Sequence, residues 1–221
     1  MSITLPEEVR AFLRSADELR DEPLRINPLT PERSASVSAR YRDIPIFAEL
    51  GLVVLDDAND SNPFCLVTSG PAAGMVVHVC HDGETELSYP SLAEFLHALR
   101  LAHQQRLDID ALPHAPIPAG VDQSFLADHI RALLTRDDAD APTLLVIHLP
   151  LLDPRNVDLL ADCAEHDDFL IRESAAMFLA NHPLAEHRAI AEKLSLDRYQ
   201  QVASPARQAR SAIARLRSGR H

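Results

Sequence analysis

Apolar residues along this chain change their period once, and the change separates two kinds of structure. Between Leu50 and Leu99 three short apolar runs, Leu52 to Leu55, Phe64 to Thr68 and Met75 to Cys80, are rich in Val, Leu and Phe. Turn-forming residues bound each: Asp57 to Pro63, then Ser69, Gly70 and Pro71 with Gly74, then Asp82 and Gly83. Runs of this length with such borders predict strands of one antiparallel sheet, and a following strand carries Glu86 and Tyr89. After Pro90, Ser91 and Glu94 form a capping-box pattern, and Leu92, Phe95, Leu96 and Leu99 share one helical face.

Upstream, Thr4 and Glu7 are spaced as a capping box with Pro6 inside the first turn, and Val9, Phe12, Leu13 and Ala16 form an apolar face. Pro23, Pro28 and Pro31 predict an irregular stretch up to about Glu32, and Ile44 to Leu50 predicts a short helix. Downstream of a coda at Leu107 to Leu112, Pro113, Pro116 and Pro118 followed by Gly120 predict an extended, partly stiff connector.

Beyond the connector the period is helical. Phe125, Leu126, Ile130, Leu133 and Leu134 follow an Asp122 cap. Leu144 to Leu152 is nearly all apolar and closed by Asp153 and Pro154; its neighbours favour a buried helix over a strand. Further faces are Val157, Leu160, Ala161 and Ala164; Ile171, Ala175, Phe178 and Leu179; Ile190, Leu194 and Leu196; then Ala206 to Leu216. The expected fold class is α+β. A sheet domain covers residues 1–112, a proline-rich connector 113–121 and an all-α domain 122–221.

With 221 residues and 46% hydrophobic content, the chain has enough core material for one large domain or two small ones. Its net charge of −12 is unevenly spread. From Ser204 onward there are five arginines (Arg207, Arg210, Arg215, Arg217 and Arg220) and no acid, which leaves 16 basic against 33 acidic residues, or −17, before them. Such a body repels nucleic acid and membrane surfaces and attracts basic proteins, while the arginines suit the dipole of a final helix. The absence of Trp and the 5% aromatic content argue against a base-stacking reader of nucleic acid. No apolar run is long enough for a bilayer, and the N-terminus lacks a signal peptide's order, so a cytoplasmic protein is expected. Cys65, Cys80 and Cys163 lie in apolar runs, which suits reduced, buried thiols.

Candidate chemistry is sparse. Cys80, His81 and Asp82 are the residue types of a thiol-based catalytic group, but neighbours on a strand point to alternate faces and cannot assemble it. His78, Cys80 and His81 lack a second pair at ligand spacing, and His182 and His187, five apart, suit no helical metal site. Asp57, Asn59 and Ser61 imitate a calcium loop, but Asn62 replaces its glycine and Thr68 its glutamate. No enzyme, no metal and no cofactor are expected, and binding is the expected work.

One pattern carries a resemblance: Leu55-Asp56-Asp57, then Ser61-Asn62-Pro63-Phe64, Gly74-Met75-Val76, His81-Asp82, and Ser91-Leu92-Ala93-Glu94-Phe95-Leu96. It resembles the SUKH superfamily, which includes the yeast cell-wall-assembly regulator and many bacterial immunity proteins. The opening LPEEVRAFL run is similar to the family's first helix, shorter and without the Asn-Gly that commonly follows. The resemblance covers about half the chain and implies a curled antiparallel sheet with flanking helices. It also implies a bacterial immunity protein that occludes the catalytic domain of a cognate toxin, with a basic toxin domain as partner. The expected contact residues are Asp56, Asp57, Asn59, Asp60 and Asn62 in the acidic turn, with Glu86 and Tyr89 on the following strand. A cytoplasmic adaptor for an endogenous protein is the alternative. The segment EHDDFLIRESAAMFLANH, with Ile171-Arg172 and Ala175-Ala176, resembles the second helix of a HEAT repeat, and Arg207 or Arg210 echoes Arg172 weakly. A HEAT-like DNA glycosylase is disfavoured by the acidic body.

Overall fold

The apolar runs fold as strands shorter than their sequence limits, and a fourth strand completes the sheet. β1 (Val53–Val54), β2 (Phe64–Leu66), β3 (Val76–His78) and β4 (Glu86–Tyr89) pair antiparallel in the order 1-2-3-4. The computed structural model describes residues 3–56, 62–80, 85–112 and 120–218, and the chain divides into two compact units, Met1–Pro118 and Ala119–His221.

In the first unit the sheet is accompanied by α1 (Glu7–Asp17), α2 (Pro31–Tyr41), α3 (Pro45–Leu50) and α4 (Leu92–Gln105). Val9, Phe12 and Leu13 of α1 and Phe95, Ala98, Leu99 and Ala102 of α4 share one core with Val53, Phe64, Leu66, Val76 and Tyr89. Phe95 is the hub, with ring centroids 5.5 Å from Phe12, 4.8 Å from Phe64 and 4.9 Å from Tyr89. Val54, Cys65 and Val77, which point the other way along the strands, are buried as well. The strands therefore lack the in-and-out alternation of a sheet with one wet face.

Two N-terminal expectations need correction. Helix α1 begins at Glu7, with Pro6 as its N-cap and no side-chain cap. A residue before proline is held extended, so the helix cannot reach back through Leu5 to Thr4. Glu7 instead accepts from Arg10 Nε (2.8 Å) and Arg14 Nη2 (2.9 Å). Pro31, read as an interruption, is the first residue of α2, where its missing N–H costs nothing, and Thr30 caps it by accepting from the Arg33 N–H.

Helix α2 escaped the apolar pattern because half of its buried face is serine: Ser34, Ala35, Val37 and Ser38. Ser34 and Ser38 lie one turn apart on that face. The Ser34 hydroxyl donates to the Val54 carbonyl (2.5 Å), and the Val54 N–H donates to Ser38 Oγ (2.9 Å). Val54 belongs to the outer strand β1, so these two hydroxyls satisfy backbone groups that no strand pairs. Replacing Ser38 with alanine leaves a buried N–H without its acceptor and should lower the unfolding free energy by about 1–3 kcal/mol. Urea denaturation followed by circular dichroism reads the change as a shifted midpoint, and an unshifted midpoint would contradict it.

Helix α3 ends in Gly51 at φ +59°, a left-handed conformation that suits glycine, and its N–H closes the helix on Ala48. A Cβ there would also press into the Thr68 hydroxyl and lie 2.7 Å from Ser69 Oγ. The turn before β1 is thus packed against the loop after β2.

The second unit is helical: α5 (Gln123–Leu134), α6 (Ala141–His148) with a 3-10 turn at Leu149–Leu151, α7 (Val157–Glu165), α8 (Phe169–Asn181), α9 (Arg188–Leu194) and α10 (Gln200–Ser218). Successive helices pair, α5 with α6, α7 with α8 and α9 with α10; α5, α7 and α9 pack in one layer, and α6, α8 and α10 in another. Asp122, Asn156 and Asp168 cap α5, α7 and α8 by accepting from Ser124 and Phe125, Leu159, and Leu170 N–H groups. The Leu144–Leu152 run is helical, as its neighbours indicated.

Phe125, Leu196 and Leu216, placed on apolar faces by spacing, are exposed, Leu196 at 84%. Phe125 sits one residue off the Leu126, Ile130 and Leu133 stripe. Leu196 lies beyond the end of α9, where helical spacing no longer applies. The buried face of α7 is Leu159, Leu160, Cys163 and Ala164. Among the described residues no helix is long and apolar enough to cross a membrane.

Candidate functional site

The residues singled out from the sequence scatter between core and surface. Asp57, Asn59 and Asp60 lie outside the described residues. Asp56 is buried, and its Oδ1 accepts the Phe64 N–H at 2.7 Å, taking the place of a strand partner where the β1–β2 ladder ends. Tyr89 is 2% exposed, on the side of β4 opposite Val76, with its ring against Phe64 and Phe95. These two are parts of the fold rather than contact residues. A carboxylate was needed at the head of β2 to satisfy a buried N–H, and the parity of β4 turns Tyr89 inward.

Asn62 and Glu86 remain accessible. Asn62 is half-buried just before β2, and Glu86 is the exposed first residue of β4, opposite His78 across the ladder. The Asn62 carbonyl accepts from His78 Nε2 at 3.0 Å, which puts the proton of the neutral ring on that nitrogen. The His78 ring stacks on Phe64, centroids 4.5 Å apart and planes 18° from parallel. Asp56, Asn62, His78 and Glu86 therefore gather at one end of the sheet: two carboxylates, an amide and an imidazole braced by an aromatic ring. Sequence reasoning weighed His78 only as a metal ligand. Its place as the last residue of a strand, across from Glu86, was the signal for a polar sheet end.

Cys65 and Cys163 are buried in chemistry as well as in space, whereas Cys80, also expected to be buried, is only half-buried at the end of its apolar run. Burial, then the Asp56 charge, pushes Cys65 well above the ordinary thiol range. Burial, with Asp162 adding, pushes Cys163 up to about 12. Both are protonated at neutral pH, the unreactive form. The Cys80 N–H donates to Thr85 Oγ1 at 3.1 Å, and His81 and Asp82 lie outside the described residues. Among the described residues no group of three His, Cys, Asp or Glu side chains could hold a metal.

Charge differs between the units. Met1–Pro118 has 9 basic against 18 acidic residues, a net −9, while Ala119–His221 has 12 against 15, a net −3. In the helical unit Arg172 reaches from α8 to Asp197, before α10, at 2.7 Å, both side chains only 11% exposed. Its Nη1 also donates to the carbonyls of His166 (2.8 Å) and Asp167 (2.7 Å). Asp197 is held below the usual carboxylate range by that bond first, with the Tyr199 N–H helping against burial. What these surfaces offer is recognition by charge and hydrogen bond. No protein-family model, curated protein or solved structure matches this chain.

Proposed function

We propose that the chain is an immunity protein of the SUKH kind, which binds the basic catalytic domain of a cognate toxin and blocks it sterically. The observation that carries the reading is the charge of the sheet unit, 18 acidic against 9 basic residues, with Asn62 and Glu86 accessible at one end of the sheet. Long-range attraction speeds encounter with a positive partner, and a few desolvated contacts hold it. Strand residues buried on both sides turn the docking surface away from the sheet's faces and toward this end. The serine-capped helix that directly follows β4, with the Ser91 hydroxyl accepting from the Glu94 N–H (3.2 Å), also supports the resemblance.

The helical unit is read as a short HEAT-like array. Its support is the layered pairing of the helices and the Arg172–Asp197 link from one pair to the next. Phe169 and Tyr199 also stack from those two pairs at 4.8 Å.

The test is survival. The toxin domain encoded beside this chain is expressed alone and together with it, and colonies are counted. Protection, together with a roughly tenfold weaker complex for Glu86→Lys, is the expected result. Absence of such a domain from the neighbouring frames, or toxicity unchanged by co-expression, overturns the reading. An endogenous housekeeping protein captured instead favours the adaptor.

A further inference from the structure

We infer that the groove between α9 and α10 holds a carboxylate-rich segment of another protein, giving the helical unit a binding surface of opposite sign to the sheet unit. The groove has a volume of about 780 Å3 and is lined by Arg188 and Glu192 of α9 and by Arg207, Arg210, Ser211, Ile213 and Ala214 of α10. Three guanidinium groups and one carboxylate make it locally cationic on a chain of net charge −12. Residues 207, 210, 211 and 214 fall on one stripe of α10, and 188 and 192 on one stripe of α9, so the lining is continuous along both helices.

Two of the arginines are fixed before any guest arrives. Arg188 Nε donates to Glu192 Oε1 at 2.7 Å, and Arg210 Nη1 donates to Ser195 Oγ at 3.0 Å. Fixed guanidinium forks lose little freedom when a carboxylate docks on them. The floor between them is small and weakly polar: the Ser211 hydroxyl is turned back onto the Arg207 carbonyl (3.0 Å), beside Ile213 and Ala214. An amphipathic acidic segment fits that lining, with its apolar side on the floor and its carboxylates on the rims.

Nucleic acid is the poorer guest. The groove has no aromatic ring to stack a base, Glu192 opposes a continuous phosphate backbone, and both units carry net negative charge. A second copy is also the poorer guest. Its acidic unit in this groove would be a head-to-tail contact, which propagates into open filaments unless it closes.

The test uses the full chain and a fluorescein-labelled two-heptad peptide with Leu and Ala on one face and Glu elsewhere. Its Lys-for-Glu counterpart and a single-stranded oligonucleotide are the controls, and anisotropy is read at low and high salt. The acidic peptide should bind, lose affinity as salt rises, and bind at least about tenfold more weakly to Arg207→Glu. Arg207 is exposed, so this variant should keep the parent's thermal unfolding midpoint. The inference is overturned if the acidic peptide fails to bind or binds Arg207→Glu equally well. It is also overturned if the oligonucleotide binds more tightly, or if sedimentation shows the chain self-associating through this groove. None of these readouts involves the sheet end, so failure here leaves the immunity reading intact.

Discussion

Arg172→Ala is expected to lower the unfolding free energy of the helical unit by roughly 3 kcal/mol, because it strands the Asp197 carboxylate in a poorly solvated place. It also removes the donor that serves the His166 and Asp167 carbonyls at the start of α8. Asp197→Asn should cost less, since no charge is left stranded and its single amide oxygen still accepts one of the two bonds, from Arg172 or from the Tyr199 N–H, that Asp197 takes on separate oxygens. Hydrogen exchange on peptides from α8, α9 and α10 localises the loss, and a uniform change across both units would contradict this account. The acid response follows from the sign of the shift. Asp197 is depressed in the folded chain, so its contribution is complete above the ordinary carboxylate range, about pH 4, and declines as pH falls through the lower folded value. In Arg172→Ala that decline should flatten. An acid limb identical to the parent's would show that the pair is not its source.

Phe95→Ala should cost about 3–5 kcal/mol, the usual range for deleting a large buried ring. Three rings from α1, β2 and β4 converge on it, so one truncation opens a void shared by those three elements and α4. Phe95→Leu keeps most of the volume and should cost less than about 1.5 kcal/mol. Urea unfolding of both variants, with exchange read on β2 and β4, separates cavity from misfolding. Equal losses in the two variants would mean that ring volume is not what the site requires.

Where the fold was legible, one local signal sufficed. Ser91 ahead of Glu94 located the start of α4 to the residue, and the turn residues around Gly70 and Gly74 separated β2 from β3. Legibility failed where burial and polarity part company. Helix α2 was invisible because its inward face is half hydroxyl, and those hydroxyls have a purpose only once Val54 stands beside them. Asp56 looked like surface for the same reason: a carboxylate reads as solvated until the Phe64 N–H it serves is placed. The polar sheet end was half legible, since Asn62 and Glu86 were expected as contact residues while His78, brought between them by the β2–β3–β4 register, was weighed only as a metal ligand. Leu196 failed differently, because a period fitted to α9 ran past the residue where that helix ends.

The serine pair on α2 has a consequence for how partners can be read. An outer strand normally tempts a foreign chain to add itself by main-chain pairing, which is indifferent to side-chain identity. With both backbone groups of Val54 already committed to Ser34 and Ser38, a stranger cannot zip onto that margin of β1 without expelling two hydroxyls. Recognition there must be written in replaceable side chains. A lineage can then change what it recognises by surface substitution while the scaffold stays as it is.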